Sequence, residues 1–451
     1  MPYATDKALN DALADHRAGR LTTAEAAYRA LLAAHPHLAG AHHHLGVLLV
    51  QTGRMEEGLE HLKTALAGNA AEPLYYFSLA RGMLAAGDPG EAGAVLRLAA
   101  QRGLADHRFD ALKAMVREQA VIACRQALDA RPNDAALLDN LASALLLQGK
   151  TEDATGYYRQ ALEAAPDFAP AHFHLGAVLS QNGAVAEGFE HYRRCASLGG
   201  MTPPEADEPQ FKIRHDRAQR QYLADAGLAD GSRVNGSAVN PARKGLLNEW
   251  RSSTPQMVVI DDFLTAPALA RLRGFCAGAR VWRKIYPAGY LGAAPEDGFA
   301  APLLVQIIEE IQSVYGAILD GEPFRYLGAF KYDSEISAGT NTHGDNSNVN
   351  VNLYIAPDDA NLDPDSGGME IWDVAAPDLP AMRRLNGNED AVAEFLKHSG
   401  ARRFTVPHRA NRAVIFRSTQ FHRTDKFRFK PDYLSQRINI SLLFGQFGDD
   451  G

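Results

Sequence analysis

The chain has 451 residues and a formal net charge of -8, with 46% hydrophobic and 22% charged residues, a length that exceeds one hydrophobic core and predicts two or more domains. No apolar run is long enough to cross a bilayer, and the negative balance repels a phosphate backbone, so membrane and nucleic-acid partners are disfavoured. The three cysteines, Cys124, Cys195 and Cys276, lack C-x-x-C spacing and are read as buried thiols. The opening stretch MPYATDKALNDALADH has neither a basic n-region nor an apolar h-region, so a cytoplasmic location is expected.

The first two hundred residues repeat. AGAHHHLGVLLVQTGRMEEGLEHLKTAL (39–66) aligns without a gap to APAHFHLGAVLSQNGAVAEGFEHYRRCA (169–196). With Leu45 and Gly46 as the seventh and eighth positions of a 34-residue unit, repeats start at 5, 39, 73, 101, 135 and 169, the third being six residues short. Small residues (Ala24, Gly58, Ala92, Ala120, Ala154, Gly188) recur at the twentieth position, where two helices must touch, and Pro36, Pro132 and Pro166 close units. This pattern resembles the tetratricopeptide repeat and implies an all-α superhelix over 1–200 whose concave face binds a peptide or protein segment. Helix packing or groove lining accounts for His42, His43, His44, His172 and His174, since they recur at equivalent positions.

GGMTPPEADEP, after Cys195, marks the end of the array, and 201–254 is a linker in which 211–228 has helical spacing. A second domain is expected over 255–451. It begins with MVVIDDFL and two helical patterns, TAPALARLRGFCAG and PLLVQIIEEIQSVYGAIL. From Phe324 onward short β-rich runs dominate: FRYLGAFKY, NVNVNLYIAP, MEIWDV, RFTVP, RAVIFRS and QRINISLLFG. Helices followed by many short strands predict a helix-supported sandwich or jelly roll.

Candidate chemistry lies in TNTHGDNSNVNVNLYIAP (340–357) and RAVIFRSTQFHRTDKFRFKPDYLSQRINISLLFG (412–445). His343 and Asp345 are two apart, so on extended backbone they point to one side, and His422 follows AVIFRS by a short turn. Two imidazoles and a carboxylate occupy one face of an octahedral Fe(II) and leave three positions open. Arg437, fifteen residues after His422, offers a fork for a carboxylate, with Asn439 and Ser441 on its face. His408, which precedes the strand RAVIF, is a rival distal ligand and the less favoured of the two.

These elements, with the SGGMEIWD segment, resemble the 2-oxoglutarate- and Fe(II)-dependent oxygenases, closest in layout to prolyl-4-hydroxylase-like members, over roughly 255–447. The resemblance implies an α+β double-stranded β-helix, iron on His343, Asp345 and His422, 2-oxoglutarate on Arg437 with Tyr332 and Asn439, dioxygen as co-reactant and ascorbate as reductant. Asn348, Asn350, Asn352 and Trp372 are candidate pocket residues. Asp345 favours hydroxylation, because halogenating relatives lose the iron carboxylate. Arg437 stands where some prolyl hydroxylases carry lysine, which leaves proline unassumed as substrate. Acidic 333–373, with nine Asp or Glu and no Lys or Arg, and basic 397–437, with eleven Lys or Arg and two Asp, are expected to neutralise one another.

The expected function is therefore hydroxylation of a peptide, protein or carrier-tethered substrate recruited by the repeats. The alternatives are an oxygenase for a free small molecule, with the repeats serving assembly, and a repeat-based adaptor whose oxygenase half is inactive.

Overall fold

The structure, a computed structural model, describes residues 2–104, 107–205, 207–226, 231–337 and 339–447. It divides into two compact units, 1–132 with 144–150, and 133–143 with 151–450. The repeats form helices α1 (Pro2–Arg17), α2 (Leu21–Ala34), α3 (Ala39–Gln51), α4 (Met55–Gly68), α5 (Pro73–Ala85), α6 (Pro89–Gln101), α7 (His107–Ala130), α8 (Ala135–Leu146), α9 (Thr151–Ala164), α10 (Ala169–Gln181) and α11 (Val185–Ser197).

One glycine position explains where pairs form. The fifteenth residue of five units is Gly19, Gly53, Gly87, Gly149 or Gly183, and each has φ between 75° and 90°, a left-handed conformation that glycine adopts without steric cost. The fourth unit has Met115 there. Its chain does not turn, and α7 runs on as one 24-residue helix where two helices are expected. The span expected for the first helix of that unit covers residues 105 and 106, which lie outside the described residues. At the twentieth position Ala24, Gly58, Ala92, Ala154 and Gly188 are buried, and only Ala120, within the uninterrupted α7, is not. A Cβ on Gly46 would lie 2.9 Å from the Gly58 carbonyl, and one on Gly188 would lie 2.6 Å from the Gly176 carbonyl, so backbone meets backbone in both pairs.

The histidines pack. His172 and His191 share a 2.8 Å Nδ1–Nδ1 contact while His172 Nε2 donates to Pro166 O, and His42 and His61 repeat this arrangement with Pro36 O. Because the carbonyl can only accept, His172 Nδ1 is the acceptor and His191 the donor.

In the second unit the bridging helix is α12 (Gln210–Ala226), the expected residues 227 and 228 lying outside the described residues. Helices α13 (Leu246–Ser252), α14 (Ala266–Gly278) and α15 (Pro302–Tyr315) follow. Ten strands are described: β1 (Met257–Ile260), β2 (Lys284–Tyr286), β3 (Tyr290–Ala293), β4 (Phe324–Tyr332), β5 (Val349–Tyr354), β6 (Met369–Ala375), β7 (Arg403–Val406), β8 (Arg412–Arg417), β9 (Gln420–Thr424) and β10 (Ile438–Phe444). They make a seven-stranded sheet, β1-β8-β5-β10-β4-β3-β2, and a three-stranded sheet, β7-β6-β9, antiparallel throughout.

Strand alternation sorts the side chains of the large sheet into two faces. Val349, Val351 and Leu353 of β5 and Ile438, Ile440 and Leu442 of β10 join the core shared with α14 and α15. On the opposite face Tyr354, Val414 and Phe416 pack against Met369, Ile371 and Val406 of the small sheet. The last repeat enters the first of these cores: Val185, Phe189 and Tyr192 are buried with Phe324 and Leu327, and Arg193 Nη1 donates to Ala300 O at 3.0 Å. Burial of side chains of this size stabilises by about 1.5–3 kcal/mol each.

Three features were not expected. The β2–β3 hairpin and β9 are additional strands, and helices α16 (Leu379–Leu385) and α17 (Glu389–His398) interrupt the β-rich half. The acidic and basic stretches do pair, through Glu370 with Arg403 and Arg423, Asp373 with Arg402, and Asp359 with Lys430.

Gly188→Val should cost about 1–3 kcal/mol by overpacking. All three tryptophans, Trp250, Trp282 and Trp372, lie in the second unit, so urea titration followed by tryptophan fluorescence should detect that loss. Gly46→Val, in the first unit, should shift the circular-dichroism transition and leave the fluorescence transition unmoved.

Candidate metal centre

His343 and Asp345 stand on the loop before β5, and His422 stands on β9, a short turn after β8. The two histidines exchange both backbone hydrogen bonds, His343 N to His422 O at 3.0 Å and His422 N to His343 O at 2.9 Å, so the loop is stitched to the strand at its ligand positions. Asp345 N donates to Ser418 O at 2.8 Å and fixes the third residue against the β8–β9 turn.

Each imidazole donates Nδ1–H to the carbonyl two residues before it, His343 to Asn341 O at 2.7 Å and His422 to Gln420 O at 2.9 Å. A carbonyl cannot donate, so each ring carries a proton on Nδ1, and the tautomer this selects for metal binding has its lone pair on Nε2. Those lone pairs face Asp345, whose carboxylate oxygens lie 3.7 Å from His343 Nε2 and 3.4 Å from His422 Nε2. The ligand atoms of the three residues lie within 4.8 Å of one another, the only such group of three among the described residues. Burial and the neighbouring His422 ring hold His343 below the usual histidine range, which keeps it neutral. Burial alone would raise the Asp345 carboxyl, but the facing His422 and the amide of Asn350, donating at 2.8 Å, outweigh it and hold the carboxyl at about 2. Two imidazoles presenting Nε2 and one ionised carboxylate are the donor set of a divalent first-row metal.

The triad opens on a cavity of about 440 Å³, a size typical of small-molecule sites. Asn350 Oδ1, Asn352 Oδ1 and Tyr354 OH are buried on its wall without a hydrogen-bond partner, and such atoms call for a polar ligand or water. Arg437, flanking β10 rather than within it, also lines the cavity and is 2% exposed. Its guanidinium donates from Nε to Gly367 O, from Nη2 to Gly368 O and from Nη1 to Asn439 Oδ1, at 2.7, 2.8 and 3.0 Å. With five N–H donors and three used, two remain. Tyr332 covers the guanidinium, its ring centroid 4.6 Å away, with Tyr354 and Phe427 further round. Among the described residues no carboxylate pairs with Arg437, so a buried cation on the cavity wall awaits an anion.

Thus His343, Asp345, His422, Arg437, Tyr332, Asn439, Asn350 and Asn352 share one cavity. Two expected pocket residues do not reach it. Asn348 precedes β5 and donates to Glu322 Oε1 at 2.6 Å, and Trp372 points into a separate apolar cluster with Met382, Leu396 and Phe421. Trp372 alternates with Ile371, and it is Ile371 that faces the large sheet. His408 lies apart from the triad, its Nε2 3.1 Å from Ala356 O and its ring held to about 4 by burial. The sequence alone did not point to Tyr286 and Tyr290, which stack at 4.4 Å on the cavity wall; the Pro-Ala-Gly turn between them was the available signal.

Family models described as tetratricopeptide repeat match residues 16–80 and residues 117–167 and 140–200. The repeats are tetratricopeptide repeats. The stretch between the two matches contains the missing turn glycine of the fourth unit. Among solved structures the chain is similar to MamA (17% identity, 44% of this chain and 93% of that one, TM-score 0.22). It is also similar to YrrB, a TPR protein with an unusual peptide-binding site (16%, 42% and 84%, 0.20), and to PilF of Pseudomonas aeruginosa (16%, 50% and 86%, 0.23). None of these scores is high enough to inform function. No curated protein matches the chain. No helix among the described residues is long and apolar enough to cross a membrane.

The full-length protein is expected to bind one Fe(II) per chain, read by metal analysis after anaerobic gel filtration. His343→Ala and Asp345→Ala should each lose that iron and His408→Ala should keep it. Undiminished iron in the first two variants would remove the site.

Proposed function

We propose that the C-terminal half, 255–451, is an Fe(II)- and 2-oxoglutarate-dependent dioxygenase of double-stranded β-helix architecture. It hydroxylates a peptide, protein or carrier-tethered substrate that the repeats recruit. One observation carries this reading: a His343–Asp345–His422 donor set and an unpaired buried Arg437 line the same cavity. Tetratricopeptide repeats suggest a protein-interaction role, which fits a macromolecular substrate.

His343, Asp345 and His422 would hold the iron, which supplies the oxidation of an unactivated C–H coupled to decarboxylation of the keto acid. The chain's own work is binding and orientation. Arg437 is locked by three hydrogen bonds before any ligand arrives, so its two remaining donors meet a carboxylate with little further loss of freedom. Asn350 keeps one Asp345 oxygen engaged, which restrains rotation of that carboxylate. The aromatic wall of Tyr286, Tyr290 and Tyr332 sheds water from the reacting region. No side chain need act as a general base.

On this account the protein converts 2-oxoglutarate to succinate, measured by mass spectrometry with iron and ascorbate present. Arg437→Ala should raise the 2-oxoglutarate requirement by an amount equivalent to about 2–5 kcal/mol, with iron affinity little changed. A variant with wild-type dependence on 2-oxoglutarate would assign the carboxylate to another residue.

Recruitment by the repeats is tested by truncation, and the core dictates where to cut. A cut at residue 200 would strip Val185, Phe189 and Tyr192 from the shared core. A fragment starting at 133, first shown folded by circular dichroism, should keep turnover of 2-oxoglutarate and lose oxidation of the native substrate, because tethering raises apparent affinity by about 10²–10⁴. Unchanged kcat/KM on that substrate would favour the free small-molecule alternative.

A further inference from the structure

The helical insertion between β6 and β7 contributes no metal ligand, yet it ends on the loop that carries two of them. Asn386, at the C-terminus of α16, donates from Nδ2 to Gly344 O at 2.8 Å and accepts from Gly344 N at 3.0 Å. Gly344 separates His343 from Asp345. One side-chain amide therefore holds both backbone groups of the residue between the two ligands. Closing that ring fixes φ and ψ of Gly344 together, and these two torsions set where His343 and Asp345 point relative to each other. Glycine is the residue with the most freedom to lose there.

The insertion is itself firmly placed. Asp378 caps α16 and Asn388 caps α17 through their side chains, and Glu389 at the start of α17 accepts from Thr342 N at 2.6 Å. Met382 and Leu396 pack with Phe421, the residue before His422. A Cβ on Gly344 would lie 3.1 Å from Met382 Sδ and 3.2 Å from Thr419 O, so the loop is pressed onto α16 as well as hydrogen-bonded to it.

We propose that Asn386 is a positioning residue for the metal centre: by clamping Gly344 it sets the angle between His343 and Asp345 before metal arrives, and so sets metal affinity. This inference rests on the triad being a metal site. Such outer partners typically change affinity about 10–100-fold when removed. Asn386 does not touch the metal or the cavity and acts through the backbone of Gly344.

The test is titration of the full-length protein with Mn(II), an oxygen-stable probe, reading free Mn(II) by electron paramagnetic resonance. Asn386→Leu keeps the branched shape and removes both hydrogen bonds, and it should weaken binding about 10–100-fold, as should Asn386→Ala. Leu272→Ala, in the core between the large sheet and α14, destabilises the same unit without touching the insertion or the loop; it should lower Tm and leave Mn(II) affinity unchanged, which a merely structural role for Asn386 would not separate. Wild-type affinity in both folded Asn386 variants would overturn the clamp while leaving the metal site standing. Failure of the wild-type protein to bind Mn(II), or equal binding by His343→Ala, would overturn the metal site and the clamp together. A second measurement needs no variant. In the metal-free wild-type protein the Thr342 and Gly344 amides should be protected from hydrogen exchange, and exchange at the rate of an open loop would show that the clamp is not formed in advance.

Discussion

Two amide hydrogen bonds between His343 and His422 are the constraint on which the rest of the site depends. They join a loop to a strand almost eighty residues away in the chain, and they do so at the ligands themselves. Once the backbones are paired, each imidazole finds a carbonyl two residues back for its Nδ1 proton, and the Nε2 atoms converge on Asp345 without further choice. The large sheet then supplies the opposite wall, because alternation along β5 and β10 sends Asn350, Asn352, Asn439 and Ser441 to the cavity and the aliphatic residues to the helices. Arg437 sits where β10 begins, held by the Gly367 and Gly368 carbonyls.

The repeats obey a constraint of a different kind. A left-handed glycine at the fifteenth position makes each turn, and two glycines or alanines let the paired helices approach. Where Met115 replaces that glycine the turn is lost and α7 continues. The last repeat is not a free-standing module, since its second helix gives Phe189 and Tyr192 to the core of the sheet-bearing unit.

What was legible in the sequence followed from local rules. Periodicity placed the helices of five repeats, β-rich composition marked the run that forms β4, and the residue types and offsets singled out His343, Asp345, His422 and Arg437, which line one cavity. What was not legible depended on partners distant in sequence. His422 lies on β9 because β6 pairs with it, and a five-residue strand of mixed polarity has no signature of its own. Of the three asparagines expected on one face, Asn350 and Asn352 line the cavity, but Asn348 precedes the first residue of β5 and turns to Glu322, and on β6 it is Ile371 rather than Trp372 that faces the large sheet. Helices α16 and α17 did carry a signal, Asp378 before Pro380 and Asn388 before an amphipathic run, but the surrounding β-rich texture masked it.

The account stands on a metal at His343, Asp345 and His422 with an anion on Arg437. The most direct measurement is anomalous diffraction at the manganese edge from crystals of the full-length protein grown with Mn(II) and 2-oxoglutarate. The account predicts one strong peak per chain at bonding distance, about 2 Å, from His343 Nε2, an Asp345 oxygen and His422 Nε2. It also predicts density for the keto acid with its far carboxylate on the two free donors of Arg437. A peak at other residues, or a metal on the triad with the keto acid absent from Arg437 at saturating concentration, would contradict it.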